Sequence, residues 1–237
     1  MFTLQQAGAK REFNYLGLTI ALFVFTLVFP FLSQTRLSTV LMDVAMTAVL
    51  VFSVFATCKR AAAAVAAIAL ALPAAGLSWA SNFMALPHGA SMAKDLSCAV
   101  FLGFVIVYMT YAITIQPRVT FDTVCGAVCV YLLIGLAWTF LYLALERSNP
   151  GAFLFNAKTA GGFNSFEGSV DLFCELDYFS YVTLTTVGFG DITPVAKPAR
   201  MLAATEAIVG QLFQTVLLAR FVGIYISQHK YAHSAQG

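Results

Sequence analysis

An all-α integral membrane protein is the fold class the sequence predicts, and three observations predict it. The 237 residues are 60% hydrophobic and only 10% charged, where a soluble domain carries about 25% charged residues. Six apolar stretches approach the roughly 20 residues needed to cross a bilayer. A shorter amphipathic run ends at Thr185-Thr186-Val187-Gly188-Phe189-Gly190-Asp191. It is too short to span, so a re-entrant helix and loop is the expectation. The predicted architecture is six transmembrane helices plus that re-entrant segment.

The first span runs from about Asn14 to Leu32, with Pro30 near its end. Polar residues and Lys10-Arg11 precede it and no small-residue cleavage site follows a short apolar core, so a retained first helix is expected rather than a signal peptide. The second covers about Ser38 to Thr57. The third, about Ala61 to Trp79, is rich in alanine and holds Pro73, which a membrane helix tolerates when neighbours satisfy the freed carbonyl. Its small residues suggest close helix packing more than lipid contact. The fourth spans about Asp95 to Ile115, and Gln116-Pro117-Arg118 breaks it. The fifth runs from about Phe121 to Leu145, with Asp122 near its positive N-terminal end. The sixth runs from about Pro198 to Ser227, proline being tolerated in the first turn. Between these last two, Asn149-Pro150-Gly151 opens the connecting segment and Gly161-Gly162 loosens it. The re-entrant run follows from about Cys174 to Leu184. Two domains are expected: residues 1–115 with four helices, and residues 116–237 with the loop and its flanking helices.

Charge excludes some functions and orients the chain. A net charge of +2 gives no reason to expect nucleic acid as a partner. The lipid bilayer is the expected one. Lys59, Arg60 and Arg118 in the short loops on one side outnumber Arg36 and Lys94 on the other, which places both termini in the cytoplasm of a multi-pass cell-membrane protein. The same orientation puts Glu167, Asp171, Glu175, Asp177 and Asp191 on the outer face, where they would concentrate cations. Cys58, Cys98, Cys125, Cys129 and Cys174 form no CxxC pair, so metal-binding cysteines are not expected. No H-E-x-x-H pair or nucleophile–base set stands out, and an enzyme is not expected.

The loop carries the chemistry. An ion stripped of water needs a ring of oxygens. Consecutive carbonyls supply them only if they point one way, which requires alternating backbone angles that side chains normally forbid. Glycine tolerates those angles and sits at 188 and 190. The Thr186 hydroxyl adds an oxygen at the inner end.

Thr185 to Asp191, the preceding Tyr178-Phe179-Ser180-Tyr181-Val182-Thr183-Leu184, and Glu206-Ala207-Ile208-Val209-Gly210-Gln211 resemble the potassium channel superfamily. The likeness is to its bacterial six-helix members with one pore loop per subunit, and it extends to Asp122 through Ala127 and Tyr131 through Gly135. The resemblance implies a potassium-selective channel passing K+ down its gradient, with no cofactor beyond the permeant ion. It implies ion sites at the carbonyls of Thr186, Val187, Gly188 and Phe189, with Thr185, Gly190, Asp191, Tyr178, Phe179 and Val182 supporting them. One loop per chain implies a four-fold symmetric homotetramer.

The sequence departs from the family at three places. Where many relatives place a hydrogen-bonding group behind the filter, Phe179 and Val182 stand, and the filter aromatic is Phe189, which has no donor or acceptor. The loop is then expected to be held by packing, with Tyr178, Tyr181 and Asp191 as polar options. The fourth helix, where voltage-sensing relatives carry arginine at every third position, has no basic residue between Lys94 and Arg118. Moving a charge through the membrane field is worth about 2.3 kcal/mol per 100 mV, so voltage gating is expected to be weak or absent. Few residues follow Ser227, and no nucleotide-binding or ion-sensing domain is expected there.

In the last helix, Gln211, Gln214 and Thr215 recur at helical spacing and read as a polar face towards a water-filled cavity. Gly210 is read as a hinge or a close-packing position. Leu218 and Phe221 are candidates for an apolar constriction, and Arg220 is expected to reach the headgroups. Asp43 and Glu206 are intramembrane carboxylates. Glu206 is expected to hydrogen-bond the back of the re-entrant helix, and Asp43 to pair with Arg36.

Overall fold

In the computed structural model, residues 15–32, 38–57, 61–83, 87–116, 119–155 and 169–234 are described. The elements run α1 (Leu16–Leu32), α2 (Ser38–Thr57), α3 (Ala61–Phe83), α4 (His88–Thr114), α5 (Phe121–Ser148), β1 (Phe153–Phe155), α6 (Ser169–Leu184), β2 (Ile192–Pro194) and α7 (Lys197–Ser234).

α5 is the axis of the fold. Its start is set by a capping box. The Thr120 hydroxyl accepts from the Thr123 amide, and the Thr123 hydroxyl accepts from the Thr120 amide, which satisfies donors that a helix start otherwise orphans. The Asp122 carboxylate also accepts from the Tyr15 amide at 3.1 Å, pinning the start of α1 to α5. At the other end the Asn149 amide donates to the Leu145 carbonyl. Gly151 takes φ +88°, a left-handed angle glycine adopts without a Cβ penalty. The Glu146 carboxylate then accepts from the amides of Gly151 and Phe153, steering the chain into β1.

Around this axis α1, α4, α6 and α7 pack directly, α4 along the greatest length. α3 lies on α4, and α2 touches α1, α3, α4 and α6. One core joins them, with Phe101, Leu102, Val105 and Met109 of α4 and Leu133, Leu136, Tyr142 and Leu143 of α5 fully buried. Burial is uneven: 72% of the apolar window in α5 is covered by the chain itself, 11% in α3 and 6% in α7. The small residues of α3 therefore do not make it a close-packed helix over its length. Ala67 and Ala74 are its buried positions among the described residues.

The expected six transmembrane spans are corrected to four. Among the described residues, Ala63–Ser81, Gly89–Thr114, Phe121–Ser148 and Lys197–Ile224 are long and apolar enough to cross a membrane, and Leu16–Thr26 and Val40–Val54 are shorter apolar helices. At 1.5 Å per residue, a helix of 17 residues reaches about 25 Å, short of the roughly 30 Å hydrocarbon core. The six-span subunit, and with it the four-fold tetramer built from such subunits, is not the architecture found.

The fold is also not purely helical. β1 and β2 pair antiparallel, with Phe153 opposite Pro194, Leu154 opposite Thr193 and Phe155 opposite Ile192. The Val195 amide extends the contact to the Ala152 carbonyl at 2.8 Å. This ladder closes the base of the excursion that carries α6 and the loop. Boundaries move as well: α4 starts at His88, α6 at Ser169, and α7 runs on to Ser234. Lys94, expected in a loop, lies inside α4 and is buried beside Asp95. Asp95 accepts the Arg147 Nε donor at 2.6 Å, which ties the first turns of α4 to the last turn of α5.

Candidate functional site

The site begins with α6. On one side it lies against α5, where the Tyr181 hydroxyl donates to the Leu132 carbonyl at 2.9 Å and its ring fills the space beside Gly135. A Cβ at residue 135 would stand 2.5 Å from that ring. The Tyr131 hydroxyl reaches the Leu184 carbonyl at the C-terminal end of α6, at 3.2 Å. On the other side lies α7, with Ala199, Ala203, Glu206 and Gly210 buried on one helical face. A Cβ at residue 210 would come within 2.6 Å of the Leu184 carbonyl oxygen. That close approach accounts for glycine here without a hinge.

From Leu184 the chain leaves the helix through a run of left-handed residues. Thr186 has φ 60°, Gly188 56° and Gly190 78°, so every second residue is inverted. Alternation of this kind turns successive carbonyls toward the same side. Thr186 carries a Cβ and is strained in this region. The strain is held by amides that fold back onto α6: Thr186 to the Thr183 carbonyl at 2.9 Å, and Val187 and Gly188 both to the Val182 carbonyl, at 3.0 and 3.3 Å. Thr185 through Gly190 are exposed in the single chain, Phe189 to 70%.

The remaining predicted residues fall around this loop. The Tyr178 hydroxyl donates to Asp191 Oδ2 at 2.8 Å, and Asp191 Oδ1 accepts from the Ile192 amide. Phe179 is buried in a triangle of edge-on rings with Tyr142 and Phe153, centroids 5.2 to 5.3 Å apart. Val182 serves through its carbonyl. The Thr185 hydroxyl donates to the Tyr181 carbonyl at 2.6 Å. On α7 the Gln211 amide reaches the Thr186 hydroxyl at 3.4 Å, bringing the two together. Gln214 and Thr215 lie further along the same exposed stretch of α7. Leu218 is 65% exposed and Phe221 half-buried. Arg220 donates to the Gln116 carbonyl at 3.2 Å rather than reaching away from the protein.

One carboxylate sits differently from its sequence reading. Asp177, expected at an acidic outer mouth, is buried, and its Oδ1 lies 2.9 Å from the Thr139 hydroxyl. Asp43 is buried; its expected partner Arg36 is outside the described residues, as are Glu167, Pro117 and Arg118. Glu206 is fully buried behind α6, within 2.5 Å of the hydroxyls of Ser180 and Tyr142.

The sequence reading missed Tyr131, Thr139, Tyr142 and Ser180 as parts of this site. A signal was present in α5. Tyr131, Gly135, Thr139 and Tyr142 stand four, four and three residues apart, so they form a polar and small stripe along one face of an otherwise apolar helix.

The chain is similar in sequence to known proteins over part of its length. An ion channel family matches residues 153–227. Protein LctB of Bacillus caldotenax is 28% identical over 124 residues, covering 52% of this chain and 88% of the relative. Protein LctB of Geobacillus stearothermophilus is 29% identical over 126 residues, with 52% and 88% covered. Two pore potassium channel c of Oryza sativa subsp. japonica is 35% identical over 68 residues, 29% of this chain and 15% of the relative. No solved structure matches the chain. These likenesses correct the six-transmembrane, single-pore-loop family inferred from the motifs. The family match is confined to the segment from β1 to α7, the matched rice relative is a two pore channel, and among the described residues four helices rather than six are long and apolar enough to span. The chain is a multi-pass helical membrane protein, and its segment from β1 into α7 is similar to an ion channel family.

Proposed function

We propose that this chain forms a potassium-selective channel that passes K+ down its gradient, with the 185–191 loop as its filter. The observation that carries the reading is the inversion of alternate residues at Thr186, Gly188 and Gly190, directly after a helix too short to span. That backbone presents the carbonyls of Thr186, Val187, Gly188 and Phe189 as a ladder of oxygens able to replace the hydration shell of K+. Thr185, Tyr178, Phe179, Val182, Gly190 and Asp191 hold the ladder. The C-terminal end of α6 adds partial negative charge nearby, which favours a cation. The likeness of 68 residues of the chain to a potassium channel supports the choice of ion.

The sequence carries the TTVGFGD pattern once, so a closed ring of carbonyls requires several copies of the chain. The exposed apolar length of α7 and the exposed side chain of Phe189 are surfaces such copies would cover. Residues 116–237 form the pore module, with Gln211, Gln214 and Thr215 facing the water below the filter. Residues 1–115 form a helical domain without gating charges, and voltage does not drive opening. The protein resides in the cell membrane with both termini cytoplasmic. Purified protein in liposomes tests the reading: potassium flux that exceeds sodium flux and is blocked by barium is expected, and equal sodium flux would overturn it.

A further inference from the structure

Behind the loop, three helices meet in a hydrogen-bond network whose hydrogens can be counted. The Ser180 hydroxyl of α6 lies 2.7 Å from the Gly135 carbonyl of α5 and 2.5 Å from Glu206 Oε1 of α7. The Tyr142 hydroxyl lies 2.5 Å from Glu206 Oε2. One turn of α6 away, the Thr139 hydroxyl lies 3.0 Å from the same Gly135 carbonyl and 2.9 Å from Asp177 Oδ1. A hydroxyl has one hydrogen to give, and a carbonyl has none. If Glu206 is an anion, the Ser180 hydrogen must serve two acceptors, and one contact is a bare oxygen–oxygen approach. If Glu206 supplies a hydrogen, the chain closes: Tyr142 donates to Glu206, Glu206 to Ser180, and Ser180 to Gly135. The same count applies to Asp177, Thr139 and Gly135. Among the described residues the ion pair found is Arg147 with Asp95, so neither Glu206 nor Asp177 has a lysine or arginine within ion-pair distance. A buried anion without a cation is the costly arrangement, and a fully satisfied neutral network the favourable one.

We infer that Glu206 is a positioning residue that holds the ion-coordinating loop in register, acting through Ser180 as a hydrogen-donating carboxyl that clamps α6 between α5 and α7. The network stands where Phe179 and Val182 offer the loop no hydrogen bond from their side chains. It fixes α6 at Ser180, within one turn of Val182 and Thr183, whose carbonyls anchor the amides of Thr186, Val187 and Gly188. The charge of Glu206 is not what the site uses; its shape and its hydrogen are.

This inference rests on the filter reading, and the experiment separates the two. Wild-type flux in liposomes tests the reading alone, and each variant is compared with the wild type. Glu206→Gln keeps the shape and a donor, and its potassium-over-sodium flux ratio is expected to stay within about twofold of wild type. Glu206→Ala and Ser180→Ala each leave a buried polar group unsatisfied, and the ratio is expected to fall by roughly tenfold. Tyr142→Phe, which removes one oxygen and keeps the ring packing, shows whether the loss follows the hydrogen bond rather than collapse of the core. Its ratio is expected to lie between those of the Glu206→Gln and Glu206→Ala proteins, with assembly size unchanged on a sizing column. A Glu206→Gln protein as impaired as Glu206→Ala would overturn the inference, because the negative charge would then be required. Wild-type selectivity in Ser180→Ala would also overturn it.

Discussion

Replacing Gly210 by alanine tests how closely α7 sits against the end of α6. The new Cβ would lie 2.6 Å from the Leu184 carbonyl oxygen and 2.8 Å from Leu184 Cδ1. Ordinary contact begins at 3.4 Å, and the first obstacle is backbone, so rotamer changes alone cannot relieve it. Overpacking of a tight site costs about 1–3 kcal/mol, and a backbone obstacle belongs in the upper half of that range. Alanine recovers about 1 kcal/mol over glycine in a helix, leaving roughly 1–2 kcal/mol of net destabilisation. Gly223→Ala on the same helix is the control: nothing lies within 4 Å of its Cβ, so it gains the helix preference alone. Thermal unfolding in detergent reads the difference. With about 2–4 °C per kcal/mol for a chain of this size, the two variants should melt roughly 4–12 °C apart, Gly210→Ala lower. Leu184 immediately precedes Thr185, so potassium flux should fall in Gly210→Ala and not in Gly223→Ala. Equal melting and equal flux for the pair would refute the close approach.

Three further outcomes follow from the same geometry. Gly135→Ala drives a Cβ to 2.5 Å from the Tyr181 ring and should destabilise the protein by about 1–3 kcal/mol; a melting temperature at the wild-type value would contradict this. Arg147→Met removes the partner of Asp95, whose side chain is only 1% exposed; stranding a buried carboxylate costs about 3–5 kcal/mol. The double variant with Asp95→Leu should recover much of that loss in the same melt, and no recovery would sink the pairing argument. Tyr178→Phe removes the hydroxyl that meets Asp191 at 2.8 Å; it should shorten open lifetimes in single-channel records with the selectivity ratio preserved, and unchanged lifetimes would count against a supporting role.

Much of the second half of the chain was legible because its signals are local. TTVGFGD requires inverted alternate residues, and those at 188 and 190 are glycines; the third, Thr186, was not anticipated because threonine gives no such signal. Asp122 marks the start of α5, and Asn149-Pro150-Gly151 its end. What was missed depends on distance along the chain. Strands of three residues have no periodicity to detect, and β1 pairs with β2 across the whole excursion that carries α6. Charge misled in two places. Lys94 and Asp95 were read as the edge of a membrane span and Asp177 as part of an outer mouth, yet all three are buried, because Arg147 and Thr139 arrive from α5 to meet Asp95 and Asp177. The count of spanning helices failed for a different reason. Apolar composition continues through the first two helices, but their helical lengths, 17 and 20 residues, lie at or below what a bilayer crossing demands.

Whether the inverted loop selects potassium is read from the reversal potential of purified protein in a planar bilayer with potassium on one side and sodium on the other. A reversal far from zero is expected, on the side set by the potassium gradient, with loss of that shift in Gly188→Ala, where a left-handed residue gains a side chain. A reversal at zero for the wild-type protein would contradict it.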